Sequence, residues 1–193
     1  MGGETMLLPG AIELEPIRQG EFDGMCGLYS IINAIRLVCY PRRPLRPSQA
    51  QTLFKRGSQL LAAKGKLSRA FQRGMREGTW MKLYEGLLNE AGELLGTPIG
   101  YRRFLAPVSG TNFTGGLKRI QRRIDAGSPL LVLLWGRYNH CTVISGYAPG
   151  RLLLFDSWQF KWVTLATCEL TQDQPVKRHQ ISRRSAAALS FDV

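Results

Sequence analysis

Apolar positions along the chain change period once, near residue 128. Before that point they recur at helical spacing. In residues 24–38, Leu28, Ile31, Ile32 and Ile35 follow i, i+3, i+4, i+7, one buried stripe of a helix. Pro41 and Pro44 end it near Tyr40. Pro47 and Ser48 restart a helix over residues 46–65, with Leu53, Leu60 and Leu61 on its apolar side. Residues 79–95 form another, carried by Trp80, Leu83, Leu87 and Leu94. Residues 114–126 are amphipathic: Leu117, Ile120 and Ile124 face one way, and Lys118, Arg119, Arg122 and Arg123 face another. Gly127 stands where a helix-ending glycine belongs. After it come strand-length segments at 130–135, 141–147, 151–158 and 162–166, with Ala-Pro-Gly as the turn between the second and third. Helices first and an antiparallel sheet afterwards make the expected class α+β. The longest apolar run, Pro129–Trp135, is far short of the roughly 18 residues a membrane helix needs.

The hairpin at Ala-Pro-Gly carries candidate chemistry. With its turn centred near Pro149, His140 lies opposite residues 157–158, and Asp156 opposite Cys141 or Thr142. A register shift of one residue puts His140 and Asp156 on one face, in contact. A carboxylate against one imidazole nitrogen fixes the tautomer and supports the imidazolium. Cys26 stands at the start of its helix, where the partial positive charge and free N–H groups favour thiolate. Gly24 and Gly27 on either side leave room for a substrate backbone. Gln19, seven residues upstream, can donate with the Cys26 backbone N–H to a developing oxyanion. Acids at Glu21 and Asp23 are expected to oppose thiolate formation.

Gln19, then Cys26-Gly27 at a helix start, then His140 opening a strand, then Asp156-Ser157-Trp158 ending the next resemble the pattern of papain-like cysteine peptidases. The Asp-Ser-Trp run is similar to that family's Asn-Ser-Trp. The layout IQRRIDAGSPLLVLLWGRYNHCTVISGYAPGRLLLFD looks most like the bacterial branch that includes the double-glycine leader (bacteriocin-processing) peptidases, whose acid is Asp. The resemblance covers roughly residues 17–160. It implies a single papain-like domain over 1–193, with the catalytic helix and a helical segment packed on a C-terminal antiparallel sheet. It implies a cysteine peptidase acting on a peptide or isopeptide bond. Cys26 would be the nucleophile, His140 the base, Asp156 its orienter and Gln19 an oxyanion donor. Gly24, Gly27 and Trp158 would border the substrate, with Trp158 shielding the His–acid pair. No metal or cofactor is implied. Leader peptidases are usually fused to a transporter, and this chain has no membrane part. Residues 40–110 match nothing in the pattern and read as a basic helical insert.

The same three residue types also serve deamidases and transglutaminase-type acyltransferases, and a degenerate copy would be an inactive basic binding module. Other residues read more plainly. Cys39, Cys141 and Cys168 are expected in the core, Asn139 in a turn, and His179 on the surface of a basic tail. No Cys/His grouping has zinc-ligand spacing, and without a secretory signal the thiols are expected reduced and the protein cytoplasmic. The 193 residues carry 26 Lys+Arg against 14 Asp+Glu, a formal charge of +12. Residues 1–35 are net acidic, while residues 36–76 hold eleven bases and no acid. That run admits three readings: a solvated helical face, attraction to an acidic protein substrate or partner, or nucleic-acid binding. The last has little support, since Phe54 and Phe71 are the segment's only Phe or Trp and no recognition motif is present.

Overall fold

A computed structural model describes residues 4–105, 112–171 and 177–191. In chain order it contains β1 (Met6–Leu7), α1 (Pro9–Glu13), α2 (Cys26–Cys39), α3 (Pro47–Ala63), α4 (Leu67–Arg73), α5 (Glu77–Leu95), β2 (Ile99–Arg103) and α6 (Phe113–Asp125). The second half supplies β3 (Leu130–Gly136), β4 (His140–Ala148), β5 (Arg151–Phe155), β6 (Trp162–Thr164), β7 (Cys168–Leu170), β8 (His179–Ile181) and β9 (Ala187–Phe191). The strands form one sheet with the central order β2-β9-β3-β4-β5-β6. All its pairings are antiparallel except β7 with β8. The chain is therefore mixed helix and antiparallel sheet, as the change of period predicts.

Helices cover both faces of this sheet. Leu131, Leu133, Cys141 and Val143 pack toward α2, α3 and α5. Leu130, Val132, Leu134 and Ile144 pack into a second cluster with Ile120 and Ile124 of α6. That is why residues 130–135 are apolar without alternation: neither face of β3 meets water. Helix α2 is buried almost all round, between the sheet and α3/α5. Buried Asn33 on α2 is satisfied by the main chain of Ile17, accepting from its N–H (2.8 Å) and donating to its carbonyl (3.1 Å). Arg36 adds a bond to the carbonyl of Glu15 (2.7 Å). Together they fix the segment that carries Gln19 against the helix that begins with Cys26.

From α3 to α5 the 40–110 region is three helices joined by short non-helical links, and it then contributes β2; its residues 106–110 lie outside the described residues. Three of its bases serve the scaffold. Arg42 donates to the carbonyl of Phe191, Arg43 to the last carbonyl of α5 at Leu95, and Arg56 pairs with Glu90. A guanidinium on the C-terminal carbonyls of a helix is favoured by the helix dipole. α4 lies outside the expected helices, as do the short strands β2, β7, β8 and β9.

Candidate active site

Cys26 is the first residue of α2, and Leu28 and Tyr29 close the first turn onto the carbonyl of Met25. The turn before it is set by Asp23, whose carboxylate accepts from the N–H groups of Gly20 (3.0 Å) and Met25 (2.9 Å). This is a short-range Asx turn, and it occupies the acid with local donors. The expected opposition to the thiolate is outweighed: the largest causes of the Cys26 shift include neither Glu21 nor Asp23. The first turn of α2 holds no acid.

The register of the hairpin brings His140 and Asp156 together. Val143 pairs with Phe155 and Ile144 with Leu154, but Gly146 pairs with Leu153, so a bulge at Ser145 supplies the one-residue shift. Continued one residue beyond β5, this register sets Asp156 level with Thr142, one same-face position from His140. His140 Nε2 and Asp156 Oδ2 are 2.7 Å apart, and both side chains are buried. The other carboxylate oxygen, Oδ1, accepts from the N–H groups of Trp158 (2.8 Å) and Phe160 (3.2 Å). Asp156 is thus held at three points, and its use of Nε2 leaves Nδ1 of His140 for the thiol.

Cys26 and His140 perturb each other in the sense a reactive pair requires. The Cys26 thiol is pushed down to about 5. The largest cause is a hydrogen bond from the Cys141 thiol; burial opposes it, and the hydrogen bond and charge of His140 and the Cys141 main chain add to it. His140 is pushed up to about 9: burial pulls it down, but Asp156 and Cys26 outweigh that through hydrogen bonds and charge. Cys141 itself is raised well above the ordinary thiol value by burial, then by Cys26. It stays protonated and serves as a donor. Between these limits the stable state is thiolate beside imidazolium.

Gln19 lines the same cleft, of about 470 Å³, as Cys26, His140 and Trp158. Its main-chain N–H donates to the carbonyl of Ser157 (3.1 Å), which ties the Gln19 segment to the Asp156 turn. Its side-chain amide donates one hydrogen to the carbonyl of Asp23. An amide nitrogen carries two hydrogens, so one donor remains for an oxyanion.

The two glycines act differently from the sequence expectation. A Cβ on Gly24 would meet the main chain of Gly74 at 2.6 Å and of Ala70 at 2.8 Å, and Gly24 N–H donates to the carbonyl of Phe71 (2.6 Å). A Cβ on Gly27 would meet Met75 at 2.6 Å and Trp80 at 2.7 Å, and Trp80 Nε1 donates to the Gly27 carbonyl (3.0 Å). The space beside both is filled by the end of α4 and the start of α5. Gly24 still borders the cleft; Gly27 does not.

Trp158 stands beside His140 and covers the His140–Asp156 pair only in part. It is 53% exposed at the cleft rim, its ring 6.1 Å from that of His140. Phe160 makes the closer contact, edge-on to His140 at 5.5 Å, and Tyr138 stacks between Phe160 (4.5 Å) and His179 (4.3 Å). His179 is therefore buried behind the cleft and does not sit on the surface. Its pairing with Gly136 on β3 draws it in. Asn139 takes φ 44°, a left-handed turn conformation that suits asparagine, directly before His140. Phe71, Arg73, Arg137 and Tyr138 complete the walls, and none of them carried a sequence signal for the site.

A comparison with protein-family models finds no match, and none of the curated proteins matches either. Among the described residues, no group of His, Cys, Asp and Glu could hold a metal ion, and no helix is long and apolar enough to cross a membrane.

Proposed function

We propose that the protein is a papain-like cysteine hydrolase that cleaves a peptide or isopeptide bond in a protein or peptide substrate. The observation that carries this reading is the linked set Cys26–His140–Asp156. A half-buried thiol at a helix start faces an imidazole whose far nitrogen is anchored on a buried carboxylate.

The Cys26 thiolate attacks the substrate carbonyl carbon, forming a C–S bond and placing negative charge on the oxygen. The Cys26 N–H and the free amide hydrogen of Gln19 stabilise that charge. Collapse breaks the C–N bond, and the proton on Nδ1 of His140 passes to the leaving amine. Neutral His140 then takes and keeps a proton from water, whose oxygen attacks the thioester; the C–S bond breaks and the Cys26 sulfur departs as thiolate. The free acid leaves, and the thiolate–imidazolium pair is restored.

A deamidase or acyltransferase would use the same acyl-enzyme with a different amide or acceptor. Trapping of substrates on Cys26→Ala, followed by mass spectrometry of products made by the native protein, separates them. A new amino terminus or freed lysine supports hydrolysis of a chain bond; a gain of one dalton without cleavage supports deamidation. Retained turnover by Cys26→Ala on a confirmed substrate would sink the proposal.

A further inference from the structure

The charge that the scaffold does not use is concentrated away from the cleft. Between Leu94 and Ile124 the sequence holds six bases and no acid. The fold brings five of them, all arginines, around one hollow between β2 and α6. Arg102 and Arg103 come from the strand, Arg119, Arg122 and Arg123 from the helix, and the volume is about 460 Å³. On α6 the three arginines stand at i, i+3 and i+4, one face, while Ile120 and Ile124 bury the other. Arg103 pairs with Glu85 at 2.7 Å. Among the described residues no carboxylate pairs with Arg102, Arg119, Arg122 or Arg123, and no acid lines the hollow. The hollow shares no lining residue with the catalytic cleft.

Like charges gathered in one concavity repel, and the arrangement costs stability unless an anion enters. We propose that this hollow binds a compact polyphosphate, either an inorganic chain or the phosphate tail of a nucleotide. Guanidinium groups present planar donor pairs that match phosphoryl oxygens two at a time, and several converging on one spot favour a multiply charged ligand. The volume falls in the range of small-ligand sites. The one aromatic residue lining the hollow, Phe104, is buried, so it offers no face on which a base could stack, and recognition runs through the phosphates. This reading does not depend on the catalytic proposal.

The test uses the full chain, inorganic tripolyphosphate, and thermal unfolding with calorimetric titration. Tripolyphosphate is expected to bind in a salt-sensitive manner and to raise Tm. Arg119→Gln and Arg123→Gln are each expected to weaken it by about tenfold or more, the scale of a lost charge-assisted bond. Their ligand-free Tm should stay equal or rise, because repulsion is relieved. Lys64→Gln and Lys82→Gln, in a second basic hollow floored by Leu60, Leu61 and Leu83, should leave binding unchanged. Equal weakening by both pairs means diffuse attraction and overturns the site. So does binding of a single-stranded RNA with none of tripolyphosphate. Tighter binding of a nucleoside triphosphate than of tripolyphosphate assigns the source to nucleotides, and equal binding assigns it to inorganic chains.

Discussion

Asp156→Asn is the most searching single test of the proposed catalytic centre. The two carboxylate oxygens have different tasks: Oδ1 accepts from two main-chain N–H groups, and Oδ2 faces His140 Nε2. An asparagine must keep its carbonyl oxygen on the main-chain donors, since its NH2 cannot accept from them. Its NH2 therefore turns toward Nε2, and a donor meets a donor while the imidazole is protonated. A charge-assisted bond is replaced by a clash of donors, a loss of about 1.5–3 kcal/mol, or roughly 1–2 pH units in the His140 titration. Burial, now less opposed, pulls His140 down from its position near 9, and the neutral ring is held with its hydrogen on Nδ1, toward the thiol. The thiolate loses its imidazolium partner, and the Cys26 titration moves up from about 5. Turnover should fall by about 10²–10⁴, the scale of a lost general acid–base. Alkylation of Cys26 by iodoacetamide across pH checks this directly. The native protein should react along a curve rising through about pH 5, and the variant's rise should lie higher. An unchanged curve, with unchanged turnover, would refute the argument.

Other outcomes follow from the same geometry. Native activity should be bell-shaped, rising through about pH 5 as Cys26 ionises and falling through about pH 9 as His140 loses its proton, in a kcat/KM profile. Cys141→Ala removes the largest support of the thiolate, so the alkylation curve should shift to higher pH while the fold is kept; no shift would remove Cys141 from the site. Gln19→Ala should lower kcat by about 10²–10³ with little change in KM, as for other oxyanion donors. Gly24→Ala places a methyl against the main chain of Gly74 and Ala70 and should cost about 1–3 kcal/mol, lowering Tm by roughly 2–12 °C in a scan.

Much of the centre was legible because it depends on local rules. A hairpin turn and a period of two place His140 and Asp156 within one residue of their final relation, and a helix start singles out Cys26; only the resemblance joined Cys26 to the other two. That last residue was not legible, since the bulge at Ser145 answers to packing between β4, β5 and β1. Leu8 N–H donates to the carbonyl of Ser145 (2.9 Å) there. Strand β9, AALSF, escaped notice because its small residues are nearly all buried and show no alternation. His179 looked like part of a charged tail; only the non-local pairing of β8 with β3 turns it inward. The glycines misled in another way. A glycine beside a nucleophile suggests open space, but whether substrate or protein occupies that space depends on α4, more than forty residues downstream. The fold accounts for part of the charge of residues 36–76, since carbonyl partners such as those of Phe191 and Leu95 carry no signature in sequence.

The seam between Gly24 and Gly74 has a consequence for the helical segment as a whole. One side has no Cβ; the other turns with φ 71°; and the Gly24 N–H is spent on Phe71. The loop that presents the nucleophile is thus joined main chain to main chain with the segment that walls the cleft. Residues 40–110 are consequently not an appendage that could be trimmed to leave the cleft intact. Their removal would strip a wall from the cleft, uncover Leu28, and free the turn that aims Cys26. Conversely, whatever pulls on α4 from outside moves the same loop, so this face is a mechanical handle on the thiol.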